Sequence, residues 1–186
     1  RPHAFAECRE LFRARARSED RDAGYAGGRR RPVGERDPGQ QPHVVSGEQV
    51  SLSAVAGSGP LSLDPIPLGV AKVVREGRDV TLITYSAGVH QGVEIAQELD
   101  KEGISVEVVD VRTLVPLDVE TIVNSVRKTS RAVVLHEAAK RLGYGAEIAA
   151  TIQEEAFWHL DHPIVRIAAK NTPTATSPPL EDAIIP

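Results

Sequence analysis

The pattern of residues 66–186 predicts an α/β sandwich with a mostly parallel β-sheet between layers of helices. Short runs of β-branched and apolar residues, typical of buried strands, recur along this part of the chain. Between them lie stretches of ten or more residues with apolar side chains at helical spacing, an alternation typical of βαβ units. Right-handed connections would place helices on both faces of the sheet, and ligands would favour the carboxyl ends of the strands.

The first predicted unit links a strand at residues 79–84 to a strand at residues 104–110. Ser86 stands where the intervening helix should begin and predicts its N-cap, because a serine hydroxyl can accept from the free N–H groups there. Gly103 stands where a glycine with positive φ commonly follows a helix. The helical spacing places on the buried face of this helix Val89, Val93, Ala96 and Leu99.

Two further units complete the predicted sheet. Asp118 predicts the N-cap of a second helix, and the run RAVVL at residues 131–135 predicts a third buried strand. Residues 143–160 predict a longer helix, and residues 164–168 predict the last strand. The spacing places on the inner faces of these two helices Ile122, Val123, Val126, Ala149, Ile152 and Ala156.

Residues 1–60 differ in composition from the rest of the chain. They contain 10 Arg and no Lys and carry a net charge of +2, whereas residues 61–186 carry −6. Within residues 1–45 the only Ile, Leu or Val residues are Leu11, Val33, Val44 and Val45. Such a stretch buries too little apolar surface to offset the entropy lost on ordering. We therefore predict that residues 1–60 form a non-globular, disordered segment.

The composition argues against several classes of protein. Cys8 is the only cysteine in the 186 residues, so no internal disulfide is expected. A membrane span needs about 18 consecutive apolar residues, and no apolar run in the sequence approaches that length. We also expect no signal peptide at the start of the sequence. The net charge of −4, with residues 29–31 as the only basic cluster, argues against nucleic-acid binding.

Two motifs stand at predicted carboxyl ends of strands. Ser86 occupies the place of a hydrolase nucleophile elbow, but Thr84 stands where that elbow needs a glycine, so the N-cap interpretation is preferred. His136 and Glu137 could form an acid/base pair, although a hydrogen-bonded structural histidine is the preferred interpretation because no catalytic partner is visible.

The remaining candidates favour structural interpretations. Gly143 and Gly145 open a helix but lack the third glycine of a phosphate-binding loop, so close backbone packing is expected. His159 and His162 have a metal-like spacing, yet Pro163 and the absence of a nearby third ligand argue against a metal site. Asp161 is expected to be an exposed carboxylate. His90 is expected on a polar face or an interface. The residues alone thus favour a binding or assembly module without a complete catalytic set.

Seven segments, taken in order and spacing, resemble one family. The most specific is DVRTLVPLD at residues 110–118. The others are IPLGVA at 66–71, GRDVTL at 77–82, HEA at 136–138, GYGAEI at 143–148, LDHPIVR at 160–166 and PLED at 179–182. Together they resemble the transketolase C-terminal-type domain in the beta subunit of the thiamine-diphosphate-dependent 2-oxoacid dehydrogenase decarboxylating component.

This resemblance implies a three-layer α/β sandwich with a five-stranded mixed sheet over residues 66–186, lacking the terminal helix with which relatives continue past Pro186. The parent enzyme would decarboxylate pyruvate or a branched-chain 2-oxoacid with thiamine diphosphate and magnesium, and acetoin-cleaving relatives share the same domain. The cofactor would lie between a different domain of the beta subunit and the alpha subunit. This chain alone would therefore bind no cofactor and would have no catalytic residues of its own.

The resemblance also implies partners. They are an alpha subunit, a second beta subunit, and the peripheral-subunit-binding domain of an acyltransferase core, with no nucleic acid and no membrane. The matching position for docking that basic domain is Asp161, whose carboxylate would mainly orient the partner. A cytoplasmic location is expected in a bacterium, or the mitochondrial matrix in a eukaryote.

The segment before residue 66 does not resemble the family, and a shifted reading frame is one explanation. Back-translated and read one base later, residues 20–26 can spell IVMPATP, and residues 39–47 can spell ANNPTSFLE. Both strings are similar to family segments at about this distance. We therefore hypothesise a frameshifted 5′ region, which sequencing of the gene would test.

Two alternative functions stay open at this point. One is a stand-alone assembly module without catalysis, which would bind a peripheral-subunit-binding domain. The other is a small α/β hydrolase using Ser86, which would react with a fluorophosphonate probe.

Overall fold

The computed structural model describes residues 66–173 and 177–186. The expectations for residues 1–60, disordered or frameshifted, lie outside these residues. The strands are β1 (Lys72–Arg75), β2 (Val80–Thr84), β3 (Val106–Asp110), β4 (Ala132–Ala139) and β5 (Val165–Ala169). The α-helices are α1 (Gly88–Lys101), α2 (Val119–Thr129), α3 (Gly145–Ala156) and α4 (Pro178–Ile184), and a short 3-10 helix covers Phe157–His159.

The five strands form one mixed sheet in the order β1-β3-β2-β4-β5. β1 pairs with β3 in an antiparallel direction, and the other three pairings are parallel. The fold class predicted from the sequence is therefore confirmed. The apolar periodicity predicted the four parallel strands. It did not assign β1, because Lys72 interrupts that short run at the exposed edge of the sheet.

Two apolar cores fill the space on either side of the sheet. One core packs α1, through residues such as Ile95 and Leu99, against Leu82, Val106 and Val108 of the strands. The other packs α2 and α3 against the opposite face. The chain moves in opposite directions along the sheet after β2 and after β3, and right-handed crossovers then require helices on opposite faces. The carboxyl ends of β2 and β4 consequently form a switch point, where a crevice opens in this type of sheet.

Two predicted helix ends are confirmed. The Asp118 carboxylate accepts from Thr121 N at 3.0 Å as the N-cap of α2, and it also accepts from Ala71 N at 2.8 Å. Burial tends to raise the pKa of Asp118, but the hydrogen bonds from Thr121 and Ala71 outweigh it and lower the pKa. Gly103 follows α1 with a φ of 77°, as a C-terminal glycine should.

Two predictions of detail are wrong. Ser86 is not the N-cap of α1, because Ala87 holds that position and Ser86 adopts a φ of 59° in the turn before it. Ala149 is only half-buried, and Ile148 points into the core instead. The buried stripe of α3 runs through Gly145, Ile148, Ile152 and Ala156, and Ala149 lies at its edge. None of the helices in the described ranges is both long enough and apolar enough to cross a bilayer.

Candidate functional site

His136 lies at the switch point of the sheet and is almost completely buried, with 1% of its surface exposed. It stands in β4 where the pairing with β5 shifts register between Leu135 and Ala139. The ring of Tyr85, which follows β2, stacks on the imidazole with centroids 6.2 Å apart and planes 8° apart. The sequence therefore brings an aromatic side chain from one strand onto a histidine from its neighbour.

The expected hydrogen-bonded histidine is wrong in one respect. His136 is structural and buried, but neither Nδ1 nor Nε2 has a hydrogen-bond partner among the described residues. Burial lowers the pKa of His136, and the charge of Arg166 lowers it further. Glu137 is exposed, since the burial of β4 ends after His136. The two residues therefore form no acid/base pair.

A cavity of about 20 Å³ adjoins His136 between α1 and the carboxyl end of β4. Its walls include Ala87, Gly88 and Gln91 of the α1 start and Ile185 and Pro186 near the end of the chain. This volume has room for about one water molecule. The switch-point cavity is thus too small for an organic substrate in this conformation.

Ser86 lies beside this cavity and is exposed. Its positive φ of 59° is a conformation that a nucleophile elbow also uses. However, Thr84 occupies the glycine position of such an elbow and is fully buried. Within the described ranges no histidine or carboxylate contacts the Ser86 hydroxyl through a hydrogen bond, so the geometry provides no activated nucleophile.

Gly143 and Gly145 pack directly against His136, as the close-packing interpretation predicts. A Cβ on Gly143 would lie 2.6 Å from the imidazole Cε1, and a Cβ on Gly145 would overlap the other side of the ring. These glycines shape the surroundings of His136. They show no phosphate-binding geometry.

Asp161 lies at the opposite end of the sheet from His136. Its backbone N–H donates to the Ser130 carbonyl at 2.9 Å, which fixes this corner next to the start of β4. The carboxylate is 58% exposed and lies 3.6 Å from the Arg131 guanidinium. The Arg131 side chain is 18% exposed, but the long separation and the exposed carboxylate keep the contribution of this pair to about 1 kcal/mol or less. A cationic partner could therefore replace Arg131 at little cost.

An aromatic pair precedes Asp161 on the same corner. Phe157 and Trp158 meet edge to face with centroids 4.9 Å apart, and Trp158 is 91% exposed. His159 is exposed as well, and His162 is half-buried. Across the part of the chain that the structure describes, no three His, Cys, Asp or Glu side chains come together as a metal-ligand set.

The structure also reveals an ionic cluster that the sequence analysis missed. Glu107 is buried in β3, and its carboxylate contacts the Lys128 ammonium at the end of α2. The same ammonium lies 2.6 Å from Glu76. A glutamate within the apolar run of β3 was the available signal, but the sequence did not show which cation would reach it.

Acidification is expected to destabilise the protein through His136. Because the folded-state pKa of His136 lies below its ordinary value of 6.5, the unfolded chain binds the proton first. Stability should therefore fall as the pH drops through 6.5, until the folded-state pKa is passed. Urea denaturation at about pH 7.5, 6.5 and 5.5 measures this dependence.

The variant His136→Leu isolates that effect, because leucine fills the buried site without titrating. It should remain equally stable from pH 7.5 to pH 5.5, whereas the parent protein loses stability. Burial raises the pKa of Asp110. Protonation of Asp110 would therefore increase stability on acidification, the opposite of the His136 effect, but at more acidic pH, nearer its ordinary value of 3.8. An unchanged pH dependence in His136→Leu would contradict the assignment.

Comparisons with known proteins agree with the fold. Residues 69–186 match the family described as "Transketolase, C-terminal domain". A solved structure named "Split gene transketolase, inactive beta4 tetramer" superposes with a TM-score of 0.57 and 26% identity, covering 71% of this chain and 45% of that one.

Curated relatives include beta subunits of three kinds. The "Pyruvate dehydrogenase E1 component subunit beta" of Bacillus subtilis is 50% identical over 107 residues, covering 58% of this chain and 33% of the relative. The mitochondrial "2-oxoisovalerate dehydrogenase subunit beta" of Dictyostelium discoideum is 51% identical over 111 residues, covering 58% and 30%. The "Acetoin:2,6-dichlorophenolindophenol oxidoreductase subunit beta" of Cupriavidus necator is 41% identical over 143 residues, covering 77% and 42%.

This chain thus spans between 30% and 42% of the length of these relatives. The family match covers more than half of the chain and coincides with the described α/β fold. The chain therefore belongs to the transketolase C-terminal domain family, with beta subunits of 2-oxoacid dehydrogenase E1 components among its relatives.

Proposed function

We propose that this chain is part of a beta subunit of the decarboxylating component of a 2-oxoacid dehydrogenase. The identity of 50% or more to both pyruvate and 2-oxoisovalerate dehydrogenase beta subunits carries the proposal. The parent enzyme would decarboxylate pyruvate or a branched-chain 2-oxoacid and transfer the acyl group to a lipoyl group. Because the chain spans a minor part of those relatives, this activity is proposed for the parent and not for the described domain alone.

The described domain would serve subunit assembly. Val115 is 79% exposed and Leu142 is 97% exposed, on loops after β3 and β4. The Tyr144 hydroxyl donates to the Leu114 carbonyl at 2.5 Å and holds these two loops together. Apolar side chains on a fixed surface are typical of the centre of a protein interface. They support contact with an alpha subunit or a second beta subunit.

Thiamine diphosphate and magnesium would be the cofactors of the parent enzyme. Among the described residues, no three His, Cys, Asp or Glu side chains come together. We assign no cofactor ligand and no catalytic step to this domain. The cofactor would instead require other parts of the parent enzyme.

Docking of a basic peripheral-subunit-binding domain would take place at Asp161. Its exposed carboxylate and weak pair with Arg131 leave it accessible to an incoming guanidinium or ammonium group. The neighbouring Trp158 would add apolar contact area, because exposed tryptophans often become energetic centres of interfaces. The carboxylate would contribute mainly orientation and association rate.

The full chain mixed with a peripheral-subunit-binding domain provides a direct test. Trp158 is the only tryptophan of the chain, so its fluorescence should change when a partner covers this corner. We expect Asp161→Asn to weaken binding about three- to tenfold, as loss of one partly exposed charge contact would, and Asp161→Arg to abolish it. Fluorescence titration with a tryptophan-free binding domain measures the affinity.

A matched control separates this corner from the general acidity of the domain. Glu147 is also exposed, but it lies near the start of α3, at the other end of that helix from Asp161. Glu147→Gln should leave the affinity unchanged. Binding that is equally sensitive to Glu147→Gln and Asp161→Asn would count against docking at Asp161. Complete absence of binding by the parent chain would count against the docking role itself.

We also propose a cellular location for the parent enzyme. The relatives include proteins of bacteria and a mitochondrial protein, which supports the cytoplasm in a bacterium or the mitochondrial matrix in a eukaryote. A stand-alone assembly module would show the same docking. Neither proposal expects decarboxylation by this chain mixed with a matched alpha subunit, because the cofactor would require other parts of the parent enzyme, and such activity would contradict this assignment. The hydrolase alternative has no support in the surroundings of Ser86.

A further inference from the structure

A second, larger cavity lies at the carboxyl ends of β4 and β5. It has a volume of about 110 Å³, more than the switch-point cavity beside His136. Three cationic residues line it, Lys140, Arg166 and Lys170. Apolar side chains form much of the remaining wall, including Ile167, Ile184 and Ile185.

Hydrogen bonds fix the Arg166 side chain and the backbone around the cavity. Arg166 is a half-buried residue whose guanidinium donates to the Lys140 carbonyl at 3.2 Å. Lys140 N donates to the Ala169 carbonyl at 3.0 Å, and Lys170 N donates to the Ile184 carbonyl at 3.1 Å. Strand pairing and the return of the chain near Ile184 therefore bring the three cationic residues to one cavity.

The cations of the described residues differ in whether a carboxylate neutralises them. Arg75, Arg112, Lys128 and Arg131 each contact a carboxylate. No such ion pair involves Lys140, Arg166 or Lys170 among the residues that the structure describes. Three cationic residues around one cavity give it a positive potential that favours an anion.

We propose that the cavity between β4, β5 and residues 183–186 binds a phosphoryl group, carried either by free phosphate or by a small organic phosphate. The planar Arg166 guanidinium suits bidentate contact with two phosphate oxygens, and the two lysines add point charges. Ile167, Ile184 and Ile185 form an apolar wall against which a short carbon skeleton could pack. The site lies at the opposite end of the sheet from Asp161, so it is independent of the proposed docking role.

Calorimetric titration of the full chain in low-salt buffer tests the site, with inorganic phosphate and glycerol 3-phosphate as separate probes. We expect saturable binding of at least one probe. Tighter binding of glycerol 3-phosphate would identify an organic ester as the ligand, and equal affinities would identify free phosphate. Since Arg166 lowers the pKa of His136, bound phosphate should raise that pKa, which NMR titration of the imidazole signals detects.

Charge-removing variants locate the site. Arg166→Gln should weaken binding at least tenfold, and Lys170→Gln three- to tenfold. Arg166→Lys should give an intermediate affinity, because it keeps the charge but loses the bidentate geometry. Lys72→Gln removes an exposed lysine from β1 at the far edge of the sheet and should have no effect.

Two results would overturn the proposal. One is the absence of saturable binding of both probes at about 10 mM, the range expected for a weak phosphate site. The other is binding that responds to Lys72→Gln as strongly as to Lys170→Gln, since that would reflect net charge alone. Lys170 is exposed, so Lys170→Gln is expected to fold and keeps the test decisive even if Arg166→Gln does not.

Discussion

Replacement of Lys128 by methionine is expected to lower the free energy of unfolding by about 2–3 kcal/mol. Lys128 contacts the carboxylate of Glu107, whose side chain is 1% exposed. Without the ammonium, that buried carboxylate would lose its counter-charge and keep the hydrogen bond from Gly77 N, at 3.2 Å. Removal of one partner of a fully buried ion pair costs about 3–5 kcal/mol. The loss expected here is smaller, because the Lys128 side chain is 43% exposed. Urea denaturation at neutral pH measures the change.

Two further variants test whether the uncompensated charge of Glu107 causes this loss of stability. Glu107→Gln combined with Lys128→Met should recover at least half of the lost stability, because an amide needs no counter-charge and can still accept from Gly77 N. Lys101→Met removes an exposed lysine at the end of α1 and should cost less than about 0.5 kcal/mol. Equal losses in Lys101→Met and Lys128→Met would show that the buried carboxylate does not depend on Lys128.

Substitution of Gly145 by alanine is expected to lower the free energy of unfolding by about 2–3 kcal/mol. The added Cβ would overlap the His136 ring and lie 3.2 Å from Val134 Cγ1. His136 has little room to withdraw, because Tyr85 stacks on it and Gly143 approaches Cε1. Alanine favours a helix over glycine by only about 1 kcal/mol, so the steric overlap should dominate. Thermal or urea unfolding measures the loss.

The double variant Gly145→Ala with His136→Ala tests the cause. If overlap with the ring is responsible, the added cost of Gly145→Ala should nearly disappear when the ring is absent, a strong coupling between the two sites. Gly103→Ala is a useful comparison, since Gly103 has a φ of 77° and no heavy atom within 4 Å of an added Cβ. It should cost about 1 kcal/mol from backbone conformation alone. Additive losses at Gly145 and His136 would contradict the steric explanation.

Local patterns predicted much of this fold because local physics controls those features. The cap at Asp118 depends on a side chain three residues from its donor, and the positive φ of Gly103 depends on the absence of a Cβ. The Ser86 prediction was wrong because local patterns did not define a single start for this helix. Several positions in one turn can begin a helix, and the chain direction out of β2 placed Ala87 at the N-cap.

The candidate sites were harder to predict than the elements. The sequence identified His136 as a residue of interest, but the expected hydrogen bond is absent among the described residues. Gly143, Gly145 and Tyr85 instead enclose the imidazole, and this enclosure depends on two strands and a loop meeting. Asp161 was predicted as an exposed carboxylate, and its exposure is confirmed. Its contact with Arg131 was not predicted, because the two residues meet only after β4 and the 3-10 helix are in place.

The sequence by itself determined the fold class, the ends of two helices and the family, because hydrophobic periodicity, capping chemistry and short motifs are local properties of a chain. Only the tertiary structure decided which charges meet. Strand order placed Lys128 against Glu107 and brought Lys140, Arg166 and Lys170 around one cavity. Periodicity indicates which face of an element is buried but not which element lies beside it. Contacts between distant residues therefore emerged only from the assembled sheet.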